Sequence, residues 1–199
     1  MIGRQTLRAI GDTRAVAAIE FAMIAPVLFM FMMGMGDLLY QVITTAVVNG
    51  SVQKAARDAT IEGNATTTAG STLDTQVIAM VRVIAPNATF VATRQSYSNF
   101  TNVGKPEPFT DSNGDGIRQV GECFSDINGN GTWDSDDASL GAGGASEVAL
   151  YTMKVTYPRI FSIQKFMGWA DTATVTAQTV LKNQPYANQT VRTAATLCT

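Results

Sequence analysis

The apolar positions of the chain fall into two regimes. From Val16 to Tyr40 they run almost unbroken, and beyond that they recur at intervals. Sixteen uncharged residues separate Glu20 from Asp37, about 24 Å of helix at 1.5 Å per residue. That falls short of the roughly 30 Å hydrocarbon core of a bilayer. Counting from Val16 gives 21 residues, enough to span, but it places Glu20 inside the apolar segment. A charge there is expensive unless it has a partner or a function. The plainer alternative is a carboxylate at the interface of an ordinary anchor. Pro26 predicts a kink. Gly34 and Gly36 offer a soft point or a place for close helix packing.

The period then changes. Val48, Val52, Ala55, Ala56 and Ala59 recur every three or four residues. They make one apolar stripe that extends the helix to about Glu62, with Gly63-Asn64 as its stop. After a loop at 65–70, Ser71-Thr-Leu-Asp74 reads as the start of a second helix carrying Leu73, Val77, Met80 and Val81. Pro86-Asn87 ends it, with strand the alternative for Val81-Arg-Val-Ile.

Three later segments suit strands: 89–97, 147–157 and 171–181. The first is rich in Thr, Val and aromatic residues, which favour strands. In the second, Ala149, Tyr151, Met153, Val155 and Tyr157 share a face. In the third, Ala173, Val175, Ala177 and Leu181 alternate with Thr172, Thr174, Thr176 and Gln178. One-sided alternation predicts an antiparallel sheet with one solvated face, and the exported half of the first helix is its natural cover. The fold class is therefore α+β: a long membrane-spanning helix packed against a small antiparallel sheet. The organisation is a leader at 1–15, a transmembrane helix at 16–40, its extension at 41–64 and an exported domain at 65–199. That domain carries an acidic insertion at about 107–140. The link from Pro158 to Ala170 is too apolar for a solvated connection. Either it folds onto the core, or Phe161, Phe166, Met167 and Trp169 meet a partner or a membrane surface. The tail from Pro185 is polar and aperiodic.

Charge orients the chain. Arg4, Arg8 and Arg14 against Asp12 keep the N-terminus in the cytoplasm by the positive-inside rule. Net charge is −2, and no basic stripe follows the leader, which argues against nucleic acid. The absence of histidine removes Ser-His-Asp and Cys-His catalysis and His-ligated zinc. An exported enzyme with a small-molecule substrate is accordingly the weakest reading. Cys123 and Cys198 fit an oxidising compartment. A bridge between them would pin the tail; two free thiols, or pairing with another chain, stay open.

Residues 111–137 hold seven of the sixteen acidic residues. Asp111, Asn113 and Asp115, then Gly116, the carbonyl of Ile117, Gln119 and Glu122 fit a twelve-residue calcium loop. Calcium takes six to eight oxygen ligands, and glycine at the sixth position permits the turn that gathers them. A second copy offers Asp126, Asn128, Asn130, Gly131, Thr132 and Asp134, with Asp137 at the twelfth place. Aspartate is shorter than glutamate there, so the second site should be weaker. The copies almost touch and lack flanking helices. They resemble the calcium-loop repeats of dockerins and thrombospondin-type modules. The alternative is an Asp/Asn/Gly insertion that only turns.

Arg14-Ala-Val-Ala-Ala-Ile-Glu-Phe-Ala, followed by Pro26 and a Met/Leu/Phe-rich run, resembles the N-terminus of TadE-like pseudopilins of the tight-adherence (Flp-type) pilus. A looser likeness runs through Val52-Gln-Lys-Ala-Ala-Arg, Thr156-Tyr-Pro-Arg-Ile-Phe and Asn183-Gln-Pro-Tyr. The resemblance implies a pilin-like fold and cleavage by a prepilin peptidase between Ala15 and Val16, making Glu20 the fifth mature residue. Ala15 departs from the family's usual glycine. It further implies an inner-membrane protein with a periplasmic C-terminal domain, other pilins or pseudopilins as partners, and incorporation into a surface pilus. Against this structural or assembly role stands a calcium-binding adhesion module on a plain membrane anchor.

Overall fold

The computed structural model describes residues 13–61, 67–141, 143–144, 146–161, 168, 170–183 and 193–198, with side chains left aside at 13–15, 58–61 and 67–72. Its elements are helix α1 (Thr13–Ile61), helix α2 (Thr67–Arg82) and strand β1 (Thr89–Tyr97). Strands β2 (Cys123–Asp126), β3 (Ser139–Leu140), β4 (Val148–Pro158), β5 (Thr172–Lys182) and β6 (Ala195–Cys198) follow. The chain divides into two compact units, 1–43 with 158–173, and 44–157 with 174–199.

In the first unit, α1 is apolar yet exposed. Phe21, Met23, Val27, Phe31, Met35 and Leu39 all face outward. An apolar surface bare on all sides is what a helix shows when its solvent is lipid. The run beginning at Val16 is long and apolar enough to cross a membrane by length and composition. Ala25 and Asp37 are the buried exceptions among the described residues here, and Asp37, 2 % exposed, is ion-paired with Arg159. Arg159 also donates from Nε to the Ala170 carbonyl at 3.1 Å, and from its backbone N–H to the Asp171 carbonyl at 3.1 Å. Sequence reading missed this pair, which joins residues 122 apart. Phe166, Met167 and Trp169 lie outside the described residues, as do Arg4, Arg8 and the Gly63-Asn64 stop.

In the second unit, α1 buries one stripe: Thr44, Val48, Ser51, Val52, Ala55 and Ala56. The spacing of three and four delivers one face, as the pattern requires. β3, β1, β4 and β5 lie side by side in that order. β1 pairs antiparallel with β4 over its whole length, Thr89 opposite Thr156 through Tyr97 opposite Val148. The alternation predicted for β4 and β5 is present. Ala149, Tyr151, Met153, Val155 and Tyr157 are buried, with Val175 and Ala177, while Thr174, Thr176 and Gln178 are exposed. Leu181 is half-buried rather than core.

Two local expectations are corrected. Thr67–Gly70, read as loop, is the first turn of α2. Ser71–Asp74 therefore lies inside the helix rather than at its start. Tertiary contacts claim Asp74 instead. Its Oδ1 accepts from Arg94 and from the Tyr151 hydroxyl, both at 2.6 Å. Arg94 also lies over the Tyr151 ring at 5.1 Å. Burial and the Asp74 carboxylate raise the Tyr151 phenol well above its ordinary value. The polar tail contributes β6, which pairs antiparallel with β2, Cys123 opposite Cys198. Those two cysteines form a disulfide.

Candidate functional site

Two features carry candidate chemistry, one in each unit. The first is Glu20. It stands exposed on α1 among exposed Ile19, Phe21, Met23 and Ile24, so a lone carboxylate interrupts an apolar surface. Val16 is also exposed, and Ala15 is helical in backbone.

The second is the pair of Asp/Asn/Gly loops, which fold alike because their side chains satisfy the same backbone donors. Asp111 accepts the Gly114 and Gly116 amides at 2.6 and 2.8 Å. Asp126 accepts those of Gly129 and Gly131 at 2.8 and 3.0 Å. Asn113 takes the Asp115 amide, and Asn128 that of Asn130, each at 3.0 Å. Asp115 takes the Ile117 amide at 2.8 Å, and Asn130 that of Thr132 at 2.7 Å. Short polar side chains that bond two residues onward are a recurrent turn device. The sixth residue of each loop is left-handed, Gly116 at φ 76° and Gly131 at φ 81°, a conformation glycine adopts without strain. The Gly116 amide, with help from its neighbours, holds the Asp111 carboxyl below its ordinary value.

At the ninth position the loops differ in detail. Gln119 donates its amide to Asp115. Asp134 instead accepts from Asn128 and Asn130 at 2.7 and 2.5 Å.

The closing residue is where structure and sequence part. In the first loop Glu122, nearly buried, accepts the amides of Ser112 and Gln119, the second and ninth residues, each at 2.9 Å. In the second loop the corresponding amides belong to Ile127 and Asp134. They are taken not by Asp137 but by Glu107, at 2.7 and 3.2 Å. Glu107 lies about twenty residues upstream and is fully buried. Its backbone completes the union: its N–H donates to the Asp134 carbonyl at 3.0 Å, and its carbonyl accepts from Trp133 Nε1 at 2.8 Å.

Asp137 is buried elsewhere and accepts from Asn102 at 2.7 Å. Burial raises its carboxyl above the ordinary value, against the Asn102 bond and with Asp136 and Glu107 nearby. Asp136 receives the Tyr97 hydroxyl at 3.2 Å. Burial and that carboxylate push the Tyr97 phenol up to about 12.

Among the described residues, no three acidic, cysteine or histidine side chains converge as a ready metal cage. The loops' carboxylate oxygens are turned onto backbone amides. The predicted ligands Asp111, Asn113, Asp115, Gln119 and Glu122 nonetheless share one loop, and Asp126, Asn128, Asn130 and Asp134 the other. Glu107 could have been suspected from sequence only as an acidic residue held between two prolines, Pro106 and Pro108.

Comparison with known proteins bears on the N-terminal segment. Residues 15–57 match the family model for TadE-like protein. No curated protein and no solved structure matches the chain.

Proposed function

We propose, taking as premise that residues 15–57 are TadE-like, that this chain is a membrane-anchored, pilin-like component of a tight-adherence pilus. Its role is structural or assembly-related and not enzymatic. The observation that supports it most is the division of α1 within one unbroken helix. The first part exposes apolar side chains on all sides, and the second buries a single stripe in a folded unit. That is the plan of a subunit held in the inner membrane before its periplasmic domain joins a fibre.

On this reading a prepilin peptidase cuts between Ala15 and Val16, and Glu20 becomes the fifth mature residue. A carboxylate in an apolar layer gains most from a cation at the same depth. The freed amino group of a neighbouring pilin or pseudopilin would supply one. Glu20→Ala should leave membrane insertion intact and abolish pili. Normal pili in that mutant would remove the assigned role.

The like placement of Glu122 and Glu107 favours a second property in the same chain, calcium binding by the exported unit. The first site would use Asp111, Asn113, Asp115, the Ile117 carbonyl, Gln119 and Glu122. The second would use Asp126, Asn128, Asn130, the Thr132 carbonyl and Asp134, with Glu107 in place of Asp137. Extracellular loops of this kind bind at about 10⁻⁴–10⁻³ M, so the expected effect is rigidity. Calcium should change Trp133 emission and release heat in calorimetry. Glu107→Gln and Glu122→Gln should each remove one site. Unchanged emission together with no heat would dispose of the metal reading and leave the pilin reading standing.

A further inference from the structure

The outward face of α1 stays apolar past Asp37. Leu38, Leu39, Val42 and Ile43 remain exposed, Leu39 at 60 % and Val42 at 63 %. From Val16 to Ile43 is 28 residues, about 42 Å of helix. That equals the roughly 40–45 Å of a bilayer with its headgroup layers. Measured along the helix, Asp37 is about 32 Å from Val16, at the far edge of the hydrocarbon. The last exposed turn and a half then lies in the interfacial layer. A bare carboxylate at that edge would be poorly solvated, and here Arg159 covers it.

The same contact fastens a second segment at that depth. Pro158–Phe161 returns to α1 beside Asp37, and the Phe161 ring lies against Gly36. A Cβ added at Gly36 would come within 2.9 Å of that ring. Next to it Ile160 is 54 % exposed. An exposed isoleucine between an arginine and a phenylalanine that both contact α1 suits an interfacial layer that accepts apolar bodies with polar tips.

We propose that Pro158–Phe161 is a lipid-contacting element seated in the outer interfacial layer, locked to α1 by the Arg159–Asp37 pair, with Ile160 in contact with lipid. The inference rests on α1 spanning the membrane, and the test separates the two.

Full-length protein carrying a single added cysteine, Met30→Cys or Ile160→Cys, is labelled with an environment-sensitive fluorophore without reduction. It is then reconstituted in phosphatidylcholine vesicles containing a minority of phosphatidylglycerol. Lipids brominated deep in the acyl chain should quench most of the Met30 signal, and lipids brominated near the headgroup most of the Ile160 signal. A quenched Met30 label with an Ile160 label open only to aqueous iodide would overturn the interfacial element and leave the span intact. An unquenched Met30 label would overturn both. Adding Arg159→Leu should release the Ile160 label to iodide while Met30 stays quenched. Gly36→Leu, which displaces Phe161 without touching the ion pair, should do the same. Retained lipid quenching at Ile160 in both backgrounds would show that the lock is not what seats the segment.

Discussion

The two Asp/Asn/Gly loops turn in the same way through their first six residues and then close differently. The first draws its closing carboxylate from within, Glu122 reaching amides ten and three positions away. The second draws it from Glu107, across 20 and 27 positions. A local closure forms whenever its own loop turns. A distant one forms only after the chain from 107 onward has folded beside it, and so carries a larger ordering cost.

What the second loop gains is attachment. Segment 107–110 bonds to β2 through Ser125 to the Pro108 carbonyl and Thr110 to the Cys123 carbonyl, each at 2.8 Å. Phe109 meets Trp133 edge-on at 6.1 Å. The first loop closes on its own glutamate and meets β2 through Arg118, which lies over the Phe124 ring at 5.1 Å, whereas the second is closed from outside by Glu107.

Removing the distant carboxylate is the strongest way to break this contrast. Glu107→Ala strands the half-buried amides of Ile127, Asn128 and Asp134. At about 1–3 kcal/mol for each unsatisfied buried group, partly relaxed, the loss should reach about 3–5 kcal/mol. Chemical denaturation followed by Trp133 emission measures it. A loss no larger than that of Glu122→Ala would erase the distinction.

Next comes the double change Cys123→Ser with Cys198→Ser. It opens a bridge across 75 positions and should cost about 2–4 kcal/mol. Hydrogen exchange separates the bridge from the loops. Amides of β2 and β6 should lose protection, while the Asp111–Gly116 turn, which needs no bridge, should keep its own.

Glu122→Ala should cost less, about 2 kcal/mol, because it strands two amides at a slightly exposed site. Exchange should quicken at Ser112 and Gln119 and stay unchanged at Ile127 and Asp134. Simultaneous loss at all four would mean that the loops open as one.

The smallest effect belongs to Tyr97, which ties the end of the second loop to β1 through Asp136. Its folded-state value is raised to about 12 from 10.0. Its contribution is therefore whole below pH 10 and is lost as pH climbs toward 12. Tyr97→Phe should flatten that alkaline decline, while Glu122→Ala should not. An unchanged alkaline slope in Tyr97→Phe would contradict the assignment.

Period carried most of the fold. The stripe at Val48, Val52, Ala55 and Ala56 and the alternations in β4 and β5 were readable because burial on one face imposes them. β2, β3 and β6 were not readable, since strands of two to four residues are too short to show a period. β6 exists because a disulfide and β2 hold it. Within the candidate site, the turns were legible from residue type and spacing. The closing carboxylate of the second loop was not, because a motif read along the chain cannot see a side chain supplied from outside it. Asp74 and Asp37 escaped for a related reason. Each has a local reading, as a helix cap or as the end of an apolar run, that a distant arginine overrides.

If a TadE-like segment anchors this chain as a pilus component, as proposed, the mass of its mature N-terminus will show it. Protein purified from its native membrane should begin at Val16, with Glu20 as fifth residue. A chain still beginning at Met1 would contradict pilin-type processing and leave a calcium-loop module on an ordinary anchor.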